Sequence, residues 1–134
     1  MTSAIIPVLR YRDAPAAIAW LERAFGFARH LVVPGPDGSI VHTQLRFGQG
    51  FVMLGSAGGE HDFGMALPGP GGQATSAIYI RISEVDAHCA RAKAAGATII
   101  HGPEDTEHGS RDYGARDPEG YIWFFGTYAP DPVP

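Results

Sequence analysis

Six histidines and one cysteine are the side chains of this 134-residue sequence best suited to ligate a metal or move a proton. The histidines stand at His30, His42, His61, His88, His101 and His108, and no two share a short ligand spacing such as H-x-E or H-x-x-x-H. His42 is the one of most interest, because it alternates with Gln44 and Arg46 against Val41, Thr43, Leu45 and Phe47. If the apolar set faces a helix, His42 and Gln44 point into a ligand cleft; otherwise they mark a rim or an interface. His88 falls on a predicted helix and is expected to face solvent. His101, beside a Gly-Pro turn, has a similarly bland reading, and His61 and His108 fall in loops that could close over a ligand but would make a poor metal site. No Ser-His-Asp set, phosphate-binding loop or dinucleotide fingerprint is visible. Acid–base work through His42, Tyr79 or a loop histidine stays open, but no residue pair demands it.

Composition narrows the classes. A hydrophobic fraction of 45% fits a packed protein, and a net charge of −4 without a Lys/Arg run gives nucleic-acid binding little support. No apolar stretch reaches membrane-spanning length, and no basic segment precedes an apolar signal core. The single Cys89 excludes an internal disulfide and fits a reducing compartment, so a cytoplasmic location is expected. Cys89 also lies on the inner face of its predicted helix, where a buried, inert thiol is expected.

These residues are positioned by a pattern that occurs twice. Ala4–Tyr11 reads as a strand, and Asp13 as a helix N-cap with Pro15 in the first turn. Ile18, Leu21 and Phe25 form one apolar stripe, and Gly26 ends the helix. Strands at Ala28–Val33 and Ile40–Phe47 flank a Pro36–Ser39 turn, and a further strand covers Phe51–Leu54. The Gly- and Pro-rich stretch 56–75, with Phe63 and Met65 in it, reads as a linker or a lid. The pattern then restarts. In Ala77–Ile82, Ile78, Ile80 and Ile82 alternate with Ala77, Tyr79 and Arg81. Ser83 with Asp86 suggests a capping box for a helix running to Ala95, with Val85, Cys89 and Ala92 inward and Gly96 as its stop. Strands at Thr98–His101, Asp112–Arg116 and Tyr121–Tyr128 complete the copy, the last entered through the tight turn Asp117-Pro118-Glu119-Gly120. The proline-rich tail 129–134 is expected to fray.

The two copies superpose at a constant offset of roughly 71 residues, which lays Arg10 on Arg81, Asp13 on Glu84, Val52 on Trp123 and Leu54 on Phe125. The fold class expected is therefore α+β, a single domain over 1–134 made of two tandem βαβββ modules, 4–55 and 76–128. Each module has one helix for one sheet face, so the bare faces are expected to form a cupped sheet with the helices on its convex side.

Paired βαβββ modules, with Arg10-Tyr11-Arg12-Asp13 opening the first helix and Asp117-Pro118-Glu119-Gly120 opening the last strand, resemble the vicinal oxygen chelate superfamily. That group includes glyoxalase I, extradiol dioxygenases and bleomycin-resistance proteins. The segment Gly109–Arg116, running through that turn to Phe125-Gly126-Thr127-Tyr128, resembles a PhnB-like branch of it. The resemblance spans about Ala4 to Tyr128 and carries many chemistries on one scaffold. In metal-binding members, four strand positions supply His, Glu, His and Glu to a divalent ion. The resemblance places them here on Ile6, Met53, Ala77 (or Ser76) and Phe124. None is a carboxylate or an imidazole, so no metal and no cofactor are expected.

The period of two gives the residues expected to line a cleft between the modules: Ile6, Val8, Arg10, His42, Gln44, Phe51, Met53, Ala77, Tyr79, Arg81, Ile122 and Phe124. The opposite phase, including Trp123 and Phe125, is expected to pack under the helices. Full burial of those two rings would contribute about 8 kcal/mol at most. A lining so apolar suits a hydrophobic or aromatic small molecule. Arg10 and Arg81 would favour an anionic ligand, or would pin strand ends to Asp13 and Glu84. The expected function is metal-independent small-molecule binding of the bleomycin-resistance kind, in a homodimer, with no nucleic acid or membrane partner. The alternative is a glyoxalase-like lyase, isomerase or dioxygenase with a non-standard metal site.

Overall fold

A computed structural model describes residues 3–59 and 61–130. The chain divides into two compact units, Met1–Leu67 and Pro68–Pro134, each with one four-stranded sheet and one α-helix. The first holds β1 (Val8–Tyr11), α1 (Ala14–Phe25), β2 (Ala28–Pro34), β3 (Ile40–Phe47) and β4 (Gly50–Ser56), with sheet order β1-β4-β3-β2. The second holds β5 (Ala77–Arg81), α2 (Val85–Ala94), β6 (Thr98–Asp105), β7 (Arg111–Arg116) and β8 (Ile122–Gly126), in the order β5-β8-β7-β6. In both sheets the first strand runs parallel to the last, and the other pairs are antiparallel. The two-module α+β architecture expected from the sequence is the one observed.

Local chemistry explains the elements. Asp13 caps α1 by accepting the Ala16 N–H at 3.1 Å, and Pro15 sits in the first turn where no amide donor is needed. Gly26 closes the helix at φ 90°, with its N–H on the Glu22 carbonyl. Ile18, Leu21 and Phe25 are buried with Tyr11, Leu45, Val52 and Leu54 in the first core. In the second, Val85, Cys89 and Ala92 of α2 are buried with Tyr113, Ala115, Trp123 and Phe125. Small residues on that helix let it approach the sheet closely.

The register shows how faithful the repeat is. Val8 pairs with Met53 in the first sheet and Tyr79 with Phe124 in the second, both members displaced by 71 residues. Ala28 pairs with Arg46 and Thr98 with Arg116, where both are displaced by 70. The offset is thus not constant. Helix α2 is shorter than α1, at 10 residues against 12, and the β7–β8 turn restores the lost position.

Other expectations are also corrected. Ala4–Pro7 precedes the strand rather than forming it, because the β4 partner row begins at Met53. Ser83 and Asp86 form no capping box: the N-cap is Glu84, without a side-chain bond, and Asp86 instead takes a bidentate pair of bonds from Arg111 at 2.8 and 2.9 Å. That guanidinium holds the Asp86 carboxyl below the usual carboxylate range. Strand β6 continues to Asp105, beyond the expected His101, through register shifts on either side of His101. Strand β8 is shorter than expected, ending at Gly126. Within 56–75, Pro70–Gly72 forms a short 3-10 turn and Gly69 bridges to Gln73. Positions 131–134 of the tail expected to fray, and Glu60 in the loop, lie outside the described residues.

The tight turn into β8 is built on one carboxylate. Asp117 is 5% exposed; Oδ1 accepts the N–H groups of Glu119 and Tyr121 at 3.0 and 3.1 Å, and Oδ2 accepts the Trp123 indole N–H at 3.1 Å. The turn and the largest core residue share one anchor. His88 is a further correction, being packed rather than solvent-facing. Its Nδ1 lies 2.6 Å from the buried Tyr113 hydroxyl, and its ring centroid 4.3 Å from that of Phe125. Burial pushes the Tyr113 hydroxyl well above its ordinary value.

Two outcomes follow. Asp117→Ala should cost about 3 kcal/mol, since it strands a buried indole N–H and two turn amides, and should lower Tm by about 10 °C in thermal unfolding, with Asp117→Asn between it and the parent. Unfolded Tyr113 ionises near pH 10 while the folded residue resists, so its contribution holds below about pH 10 and is lost as pH rises toward the folded value. Urea midpoints measured from pH 9 upward should therefore fall less steeply in Tyr113→Phe.

Candidate functional site

Each sheet has one face beneath its helix and one face without a helix on it. On the uncovered face of the second sheet, cross-strand pairing sets Tyr79, Phe124, Gly114 and His101 in one row. Ala77, Ile122, Arg116 and Thr98 form the row on one side, and Arg81, Gly126, Asp112 and Glu104 the row on the other. Two glycines shape this surface. A Cβ on Gly114 would stand 2.6 Å from the Phe124 ring, and one on Gly126 would stand 2.4 Å from the Tyr79 hydroxyl. Both aromatic side chains therefore lie down along the sheet over places where the backbone carries no side chain.

Tyr79 is 42% exposed, yet its hydroxyl is fixed, accepting the Tyr128 N–H at 3.0 Å. Burial raises its ionisation above the ordinary value, so it stays a neutral hydroxyl at physiological pH. Arg81 is exposed, and its Nε donates to the Thr127 carbonyl at 3.4 Å. Ile122 and Phe124 are half-buried.

Sequence reasoning passed over His101, and the structure gives it a place in this row. Nδ1 lies 3.2 Å from Glu104 Oε1, and Nε2 lies 3.2 Å from Asp112 Oδ1. The ring stands edge-on to Phe124 with centroids 6.5 Å apart. Only the protonated imidazole donates to both carboxylates at once. The signal available was Glu104 three residues beyond His101, but Asp112 arrives through the β6–β7 register, which no local spacing encodes.

In the first sheet, Val8, Met53, Gln44 and Leu31 share a row on the uncovered face, with Val8 and Leu31 exposed. His42 and Gln44 lie on one side of β3, their side-chain nitrogens 3.2 Å apart, while Thr43 and Leu45 of the alternate phase are buried. Val41, expected to share that buried phase, is exposed near the start of β3. Phe51 is half-buried with its ring against that of His30. Ile6 is exposed in the segment before β1. Arg10 meets a partner that neither sequence-level reading named. Nε lies 3.2 Å from Asp62 Oδ1 and Nη2 donates to the His61 carbonyl at 3.0 Å, while Asp62 Oδ2 accepts the Gly58 N–H at 2.7 Å. The guanidinium thus ties β1 to the loop that carries Phe63 and Met65.

The corners that a divalent ion would need do not fit one. The positions that the family resemblance assigns to ligands, Ile6, Met53, Ala77 (or Ser76) and Phe124, carry hydrocarbon, a thioether and at most a hydroxyl, which do not make a set of hard donors. Among the described residues, no group of three or more His, Cys, Asp and Glu side chains is placed to hold an ion. The set around His101 is no exception, because its two ring nitrogens point to different carboxylates.

Comparison with known proteins agrees with this architecture. Residues 5–125 match the model of the "Glyoxalase/Bleomycin resistance protein/Dioxygenase superfamily". The chain is 35% identical over 124 residues to protein Mb0911c of Mycobacterium bovis, covering 92% of this chain and 82% of that protein. It superposes on the crystal structure of TioX from Micromonospora sp. ML1 with a TM-score of 0.76 and 34% identity, covering 96% of this chain and all of TioX. FosX, a fosfomycin resistance protein from Listeria monocytogenes solved with Mn(II) and sulfate, shares the fold at a TM-score of 0.70 and 16% identity, covering 96% of this chain and 94% of its own. The chain belongs to the glyoxalase/bleomycin resistance protein/dioxygenase superfamily.

Proposed function

We propose that this chain is a metal-independent binding protein for a hydrophobic or aromatic small molecule, similar to the bleomycin-resistance members of its superfamily and of the PhnB-like branch. The observation that carries this reading is the uncovered face of the second sheet. Phe124 and Tyr79 lie along it over Gly114 and Gly126, and Phe124 holds one of the positions that the family resemblance assigns to a metal ligand. The two rings offer a flat apolar patch, bordered by the charged and polar side chains of the neighbouring rows, and such a patch binds planar molecules by area and dispersion. Ile122 extends it with hydrocarbon and Arg81 supplies a polar group; on the first sheet, Val8, Met53 and Gln44 share a row of their own. Arg10, tied to Asp62, serves the reading by holding the Phe63–Met65 loop rather than by meeting a ligand's charge. The protein is proposed to act as a homodimer in the cytoplasm, without a nucleic-acid or membrane partner; among the described residues no helix is long and apolar enough to cross a membrane.

Two measurements test the proposal. A saturating aromatic ligand, at one hundred times its Kd, should stabilise the protein by about 2.7 kcal/mol. Phe124→Ala and Tyr79→Ala should each remove most of that thermal shift, whereas unchanged shifts would place the ligand elsewhere. Protein purified without chelator should carry well under one equivalent of Ni, Zn, Mn or Fe by mass spectrometry. One tightly held equivalent, lost in His42→Ala, would instead establish the enzymatic alternative with a rebuilt metal site.

A further inference from the structure

The Tyr79 side chain holds an unused capacity in a fixed position. Its hydroxyl makes one hydrogen bond among the described residues, and makes it as the acceptor, from the Tyr128 N–H at 3.0 Å. The hydroxyl proton is therefore not committed to any described group. The oxygen cannot wander. Gly126 lies directly beneath it, with room for no Cβ, and the Tyr128 amide holds it from the side.

The surroundings decide what that proton would meet. Asp112 stands in the adjacent row, and its Oδ1 is engaged by His101 Nε2 at 3.2 Å. Glu104, on the far edge strand, faces the other nitrogen of the same ring. Arg81, two residues along β5, brings positive charge to the same end of the face and donates to the Thr127 carbonyl. Tyr79 pairs with Phe124 across β5 and β8, and Arg81 pairs with Gly126 in the next row.

We infer that Tyr79 is a specificity-determining donor: it recognises an acceptor oxygen, such as a carbonyl, at the edge of a planar aromatic ligand stacked on Phe124. This rests on the aromatic-binding reading above and adds a chemical class to it. The raised ionisation of the hydroxyl keeps the donor intact across the physiological range. A ligand with a methylene in place of the carbonyl would cover the same area and leave the proton unmatched within a partly dried contact, which is where hydrogen bonds discriminate most.

The test uses N-phenyl-1-naphthylamine as a fluorescent reporter on the intact chain, displaced by 2-acetylnaphthalene or by 2-ethylnaphthalene. These competitors match in shape and differ in the carbonyl. On the parent protein the ketone should displace the reporter at about five-fold lower concentration than the hydrocarbon. In Tyr79→Phe the two should converge to within about two-fold, with the thermal melt confirming an intact fold. Equal competition on the parent, or a ketone preference that survives in Tyr79→Phe, overturns the inference while the aromatic-binding reading stands. Failure of the reporter to bind the parent protein overturns both.

Discussion

The burial of one carboxylate beside the longest aromatic run governs this structure. Asp117 is desolvated at the head of β8, and desolvation is tolerable only because three N–H groups converge on it, two from the turn and one from the Trp123 indole. The turn thereby sets the phase of the strand that follows. With Trp123 and Phe125 fixed under α2, Ile122 and Phe124 have to emerge on the opposite face. Pairing through β8 then places Tyr79 on one side of Phe124 and Gly114 on the other. The character of the candidate site is in this sense inherited from the geometry of a turn that does not touch it.

The same dependence explains what a linear reading could and could not reach. Elements governed by neighbours in the chain were legible: the Asp13 cap, the Gly26 stop, the apolar stripe of α1 and the alternation in β5 were all read from spacing alone. So was the duplication, because parallel pairing of β1 with β4 and β5 with β8 preserves one offset. Contacts that arrive through long-range register were not. His88 looked exposed on a helical wheel because nothing local announces a tyrosine hydroxyl 25 residues away. Arg10 was weighed against Asp13, three residues off, while its observed partner Asp62 sits in a loop whose path no pattern encodes. His101 was dismissed for the same reason, since its second carboxylate comes from the adjacent strand.

Family membership and residue chemistry here point in different directions, and the difference is informative. The fold is shared with a protein solved with Mn(II), while the positions that the family resemblance assigns to ligands carry neither a carboxylate nor an imidazole in this chain. A scaffold supplies positions, and what is written at them supplies the chemistry.

The two glycines beneath the aromatic side chains carry a consequence for how such a protein diversifies. Relief on this face arises from what the backbone omits, since Phe124 and Tyr79 recline only because residues 114 and 126 have no Cβ to prop them up. A methyl group added at position 114 would first meet the side chains of Phe124 and Ile100, whereas at 126 it would also press on the Arg111 carbonyl. The floor is therefore adjustable at one end and rigid at the other. On the proposed reading, a substitution beneath Phe124 would reshape the aromatic floor, while the neighbourhood of the Tyr79 oxygen would stay constant.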